Sequence, residues 1–119
     1  MAITLEQQRA AHAWKKAQQA PEQYDKLAKG LPALIMNSGL MQVLAFLNEK
    51  GRTQPHCKVL GEHLREWLQQ RFPTKIKNAE LPQFMEALLK LDSQDLQQVT
   101  AETHAWLRWV RQLAPTAKS

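Results

Sequence analysis

The sequence predicts an all-α fold, a compact single-domain bundle of about five to six helices over residues 1–119, and three observations predict it. Helix formers (Ala, Leu, Gln, Glu and Lys) are abundant. Val and Ile are few, and no stretch sustains the period-two alternation of a half-buried strand. Apolar residues instead recur at three- and four-residue spacing along most of the chain. A chain of 119 residues, 44% of them hydrophobic, can bury a core without disulfides.

The first helix is expected to begin at Thr4, whose hydroxyl can cap it while Gln7 completes a capping box. Ile3, Ala10, Ala13, Trp14 and Ala17 fall on its apolar face. Ala20-Pro21 ends it, and Pro21 suits the first turn of a second helix because its missing N–H costs nothing there. Tyr24, Leu27, Ala28, Leu31 and Leu34 form the next stripe, with Gly30 and Pro32 expected to bend or divide the helix. A third helix follows Gly39 through Leu40, Val43, Leu44 and Leu47, and Gly51 is placed to close it. Arg52–Lys58 reads as a polar connection. Leu60, Leu64, Trp67 and Leu68 mark a fourth helix, which Phe72-Pro73 ends, and a basic loop with Lys75 and Lys77 follows. Pro82 opens a short helix with Phe84, Met85, Leu88 and Leu89 facing inward. Asp92 caps the last helix, whose stripe is Leu96, Val99, Thr103, Trp106, Val110 and Leu113. Pro115 is expected to end it, leaving residues 115–119 as a frayed tail.

Composition narrows the function classes. Cys57 is the only cysteine, so neither an internal disulfide nor a four-cysteine zinc site can form, and a reducing cytoplasm is the expected setting. The N-terminus lacks the pattern of a signal peptide, and no membrane-spanning run is present. Sixteen Lys and Arg against eleven Asp and Glu give a net charge of +5. That excess favours polyanionic partners through phosphate contacts, although the wet faces of amphipathic helices carry such charge equally well.

Local chemistry is sparse. His56, Cys57 and His63 are close in sequence but lack the paired spacing of a metal site, and a catalytic Cys–His pair needs contact in space rather than adjacency. There is no glycine-rich phosphate loop and no nucleophile elbow. No catalytic residue, metal or cofactor is therefore assigned. The basic residues are more ordered. Arg9 and Lys16 flank the apolar face of the first helix, Lys26 and Lys29 are neighbours at i, i+3, and His104, Arg108 and Arg111 line the last helix. Such spacings suit a surface that tracks a phosphate backbone, which needs points of charge rather than base readout. Trp14, Trp67 and Trp106 fall on expected core faces, and Trp109 lies at the edge of its stripe.

Taken together, Tyr24–Gly51 (YDKLAKGLPALIMNSGLMQVLAFLNEKG), Leu60–Leu68 (LGEHLREWL) and Thr100–Ala114 (TAETHAWLRWVRQLA) resemble the small-subunit family of the Cmr complex, the type III-B CRISPR effector. In the first segment the family pattern is a tyrosine, a "KLP-hydrophobic-I-x-x-NGL-x-Q-x-LAFL" core and a helix-ending glycine. Gly30 departs from it where a basic residue is common, and Ser38 lies within the Asn-Gly step. The last segment is similar to "TAEALAFLxWLKRFA", with His104-Ala105-Trp106 the variation. The resemblance covers nearly the whole chain. It implies a non-catalytic subunit, without cofactor or membrane, that stacks with copies of itself into a short filament for antiviral defence. The implied partners are guide RNA, target RNA and the backbone and large Cmr subunits. Under that reading Arg9, Lys16, Lys26, Lys29, Arg108 and Arg111 are the expected RNA contacts. Two other readings remain open: a basic helical protein–protein adaptor without nucleic-acid contact, and an enzyme whose site assembles around His56, Cys57 and His63.

Overall fold

Thr4 starts the first helix as its sequence dictates. In the computed structural model, which describes residues 2–118, the Thr4 hydroxyl accepts from the Gln7 N–H at 3.1 Å and the Gln7 side chain accepts from the Thr4 N–H at 2.7 Å. Six helices follow in order: α1 (Leu5–Ala17), α2 (Tyr24–Ser38), α3 (Leu40–Lys50), α4 (Pro55–Arg71), α5 (Leu81–Leu89) and α6 (Ser93–Lys118). No strand occurs among the described residues. The long α6 is the axis of the bundle: α1 packs along it, α2 crosses it, and α4 joins α2 and α3 to it. Trp106, Leu107, Val110 and Val99 of α6 meet Tyr24 and Leu31 of α2 and Leu60, Leu64 and Leu68 of α4 in one buried cluster.

Turn chemistry explains the boundaries. Gly39 adopts φ +86°, a conformation that side-chain-bearing residues rarely hold, and so separates α2 from α3. Gly51 serves otherwise. Its φ is −62°, so no left-handed cap is needed. A Cβ there would lie 2.9 Å from the Lys58 Cα, and glycine is required because α4 passes so closely. Asp92 caps α6 by accepting from the Asp95 N–H at 2.8 Å.

Several boundaries and faces differ from expectation. Pro21 precedes α2, which begins at Tyr24 after Gln23 in a left-handed turn with φ 72°. Pro32 does not divide α2, and Pro55 is the first residue of α4 rather than part of a loop. α6 does not end at Pro115 but runs to Lys118. Proline removes only the bond to the Arg111 carbonyl, while Ala114 is buried and Ala117 packs against the core, so the last turn keeps its apolar contacts. Ser119 of the expected tail lies outside the described residues. Trp14 is 42% exposed rather than core, and on α2 Leu34 yields its core place to Ile35. Leu89 also points outward, and Ile76, in the loop before α5, is fully buried instead.

Candidate nucleic-acid interface

Lys29 on α2 and Arg108 and Arg111 on α6 meet at one cleft of about 530 Å³, closed by Glu6 of α1 and by Trp109 and Gln112. The three cations come together because α2 crosses α6 with Ala28 and Leu31 buried against it, which leaves Lys29 at the rim. Arg108 and Arg111 sit one turn apart on the exposed side of α6, set by the burial of Leu107 and Val110. None of the three forms an ion pair with a described carboxylate. Glu6 is engaged elsewhere, accepting from the Trp109 indole N–H and lying 3.6 Å from Arg9. Lys26 is exposed one turn before Lys29 and extends the same charged edge.

Arg9 and Lys16, the other two expected contacts, are turned inward. Arg9 grips the buried Glu102 with two hydrogen bonds, 2.6 Å from Nε and 2.9 Å from Nη2. Glu102 also accepts from Trp67 Nε1 at 3.1 Å and Arg71 Nε at 3.0 Å, so each of its oxygens receives two donors. These donors hold its carboxyl below the usual carboxylate range against the opposing effect of burial. Lys16 reaches Glu66 at 3.0 Å. Glu66 also faces His12 Nε2 at 3.3 Å, and His12 Nδ1 accepts from the Trp106 indole at 2.9 Å. Because an indole can only donate, the His12 proton resides on Nε2 and is given to Glu66. Two polar networks, one centred on Glu102 and one on His12–Glu66, thus tie α1, α4 and α6 together.

Glu102 is not among the residues that the sequence singled out, although a signal existed. Glu102 lies three residues after Val99 and four before Trp106, on the apolar stripe itself. A carboxylate there must be buried, and it must therefore have cationic or N–H partners. The candidate catalytic residues do not converge. Cys57 Sγ donates to Gln54 at 3.7 Å, and His63 Nδ1 is bonded to the Tyr24 hydroxyl at 2.8 Å, so the two share no hydrogen bond.

His63 is nonetheless informative about stability. Burial pushes its pKa down to about 4, and burial also lowers that of His12. The unfolded chain protonates His63 near pH 6.5, whereas the native protein does not until about pH 4. Stability is therefore full above pH 6.5 and falls as the pH drops through that window, by about 3 kcal/mol for His63. The depressed carboxylates, Glu66 and Glu102, act only below their ordinary values, at lower pH. Urea midpoints taken from pH 7 to pH 5 are expected to fall for the wild type. They are expected to fall less steeply in His63→Asn, which retains an acceptor for Tyr24 but does not titrate, while His12 still does.

Comparison with known proteins bears on the family of the chain. A family model described as CRISPR-associated protein (Cas_Cmr5) matches residues 5–117. The chain belongs to the Cmr5 family. The match runs from the first residue of α1 to within one residue of the end of α6, so it takes in the whole bundle and every cation of the cleft. Membership makes the chain a subunit of the type III-B CRISPR complex, the Cmr complex, alongside the other Cmr subunits. No curated protein matches the chain. No helix among the described residues is long and apolar enough to cross a membrane.

Proposed function

We propose that this Cmr5-family subunit is a non-catalytic helical scaffold whose α2–α6 cleft contacts the phosphodiester backbone of the guide–target RNA. Copies of the chain stack side by side, and the complex as a whole gives antiviral defence in the cytoplasm. The observation that carries the RNA reading is the convergence of Lys29, Arg108 and Arg111, none paired with a described carboxylate, on a single cleft. Lys26 continues that edge. Arg9 and Lys16 act one step behind it: through Glu102 and Glu66 they fix α1 against α4 and α6, and so hold the cleft wall. Sequence specificity then belongs to base pairing with the guide, since point charges track a backbone without reading bases. Self-stacking and contacts with the other Cmr subunits are supported by a different surface. Leu34 and Phe46 are each 40% exposed and Met36 is 79% exposed, all on α2 and α3.

Reconstituted complexes carrying Lys29→Ala, Arg108→Ala and Arg111→Ala together test the reading. With target RNA titrated across a salt series, the slope of log K against log salt is expected to fall in magnitude by about 2 per engaged copy, at roughly 0.7 for each phosphate contact on a single strand. These exposed positions leave folding nearly unchanged. A slope identical to that of the wild type would favour the adaptor, in which the charge is incidental.

A further inference from the structure

Next to it along α6, toward the start of that helix, lies a second, larger cleft of about 670 Å³, and Arg108 lines both. Arg71 of α4 forms part of its wall, beside Thr74, Lys75 and Gln98. The Arg71 side chain is fixed at two points. Its Nε donates to Glu102 at 3.0 Å, and its guanidinium lies over the Phe72 ring, 4.9 Å from the centroid. Both Glu102 oxygens are already saturated, and the Arg71 Nη groups donate to no described residue. The outer edge of the guanidinium therefore keeps its hydrogen-bonding capacity. Charge points the same way. Arg9, Arg71, Lys75 and Arg108 line the cleft against Asp95 and Glu102, four positive charges to two negative. Lys75 and Asp95 cancel at 3.2 Å.

We infer that Arg71 is a pre-oriented phosphate-binding residue, and that a single RNA strand in the first cleft continues along α6 past Arg108 into the second. The inference rests on the RNA reading given above and extends it to a residue outside the α2–α6 cleft. A guanidinium held in place by a buried carboxylate and an aromatic ring loses little freedom on binding, and its free edge matches two phosphate oxygens. The sharing of Arg108 favours a ligand with repeating charges over an isolated carboxylate from a partner protein.

Fluorescence anisotropy of labelled oligouridine with the full chain, over a salt series starting near 50 mM, tests this. Arg71→Met is expected to weaken binding roughly tenfold at the low-salt end, the loss of a charge-assisted contact, and to reduce the salt slope by about 0.7, one phosphate. Arg71→Lys keeps the charge but not the fork, and is expected to restore the slope without restoring the affinity. Glu102 keeps Arg9 and Trp67 in both variants. If Arg71→Met is unfolded by circular dichroism, Arg71→Lys carries the test through its loss of affinity at full charge. An unchanged slope and affinity for Arg71→Met, with a reduced slope for Lys29→Ala/Arg111→Ala, would overturn the Arg71 assignment and leave the RNA reading standing. Salt-independent or absent oligouridine binding by the wild type would overturn both. Loss of polyglutamate binding in Arg71→Met with oligouridine binding retained would also overturn the assignment, marking a site for an acidic protein surface instead.

Discussion

Glu102→Ala is expected to lower the free energy of unfolding by about 3–5 kcal/mol, the cost of stranding charges whose buried partner has gone. Four donors depend on this one carboxylate: two from Arg9 and one each from Trp67 and Arg71. Arg9 has only the exposed Glu6 at 3.6 Å to turn to. The Trp67 indole is buried, and its N–H would be left without an acceptor. Glu102→Gln is expected to do little better, since its amide would place two donors among donors. Urea denaturation with an unchanged m-value measures the loss. The same network determines how charge reversal at Arg9 must be interpreted. Arg9→Glu sets a second carboxylate against Glu102, so it is expected to unfold the bundle and to abolish RNA binding for that reason alone. Lys29→Ala, Arg108→Ala and Arg111→Ala can lose RNA binding while the fold persists, and comparison of the two sets separates scaffold from contact surface.

How far the sequence could be read depended on how the signals combine. Helix order, the Thr4 and Asp92 caps and the stop at Phe72-Pro73 were legible because each depends on chemistry within a few residues. The face of α1 was not. Its apolar residues pointed to Ala10, Ala13, Trp14 and Ala17, yet the buried set is His12, Ala13, Lys16 and Ala17, with Arg9 half-buried beside them. The helix is turned toward its charged residues because two acids on α4 and α6 wait for them, and Trp14 is carried out to solvent. Hydrophobic periodicity cannot register a core-facing stripe whose polar groups are satisfied by distant partners. For the same reason Arg9 and Lys16 looked like surface cations no different from Lys29, Arg108 and Arg111, and sequence spacing did not separate the two sets. That Lys29, Arg108 and Arg111 share one cleft followed only from the packing of α2 on α6, and the role proposed for Arg71 only from the fold that sets Glu102 beside it.

Trp106→Ala is expected to cost about 3–5 kcal/mol, the range for emptying a fully buried large aromatic site. Trp106→Phe separates the two parts of that loss. Phenylalanine fills most of the volume but has no N–H, so His12 Nδ1 is left buried without its donor, at about 1–3 kcal/mol. The Phe variant also carries a pH signature. In the wild type, protonating His12 means placing a proton on Nδ1, the atom that accepts from Trp106 at 2.9 Å, so the bond and burial both oppose the charge. With the indole gone, Nδ1 can take the proton while Nε2 still donates to Glu66. The His12 titration followed by NMR is therefore expected to move upward, toward its ordinary value near 6.5. A Phe variant that matches the wild type in both stability and His12 titration would reduce Trp106 to a space-filling residue. The outcome bears on the proposed RNA surface as well. At 3.6 residues per turn, Arg108 lies about 200° round α6 from Trp106, and the packing of the fully buried Trp106 fixes the rotation of the helix that turns Arg108 and Arg111 outward. Trp106→Ala is expected to weaken RNA binding without removing a single charge, whereas Trp106→Phe, which keeps the packing, is expected to retain it.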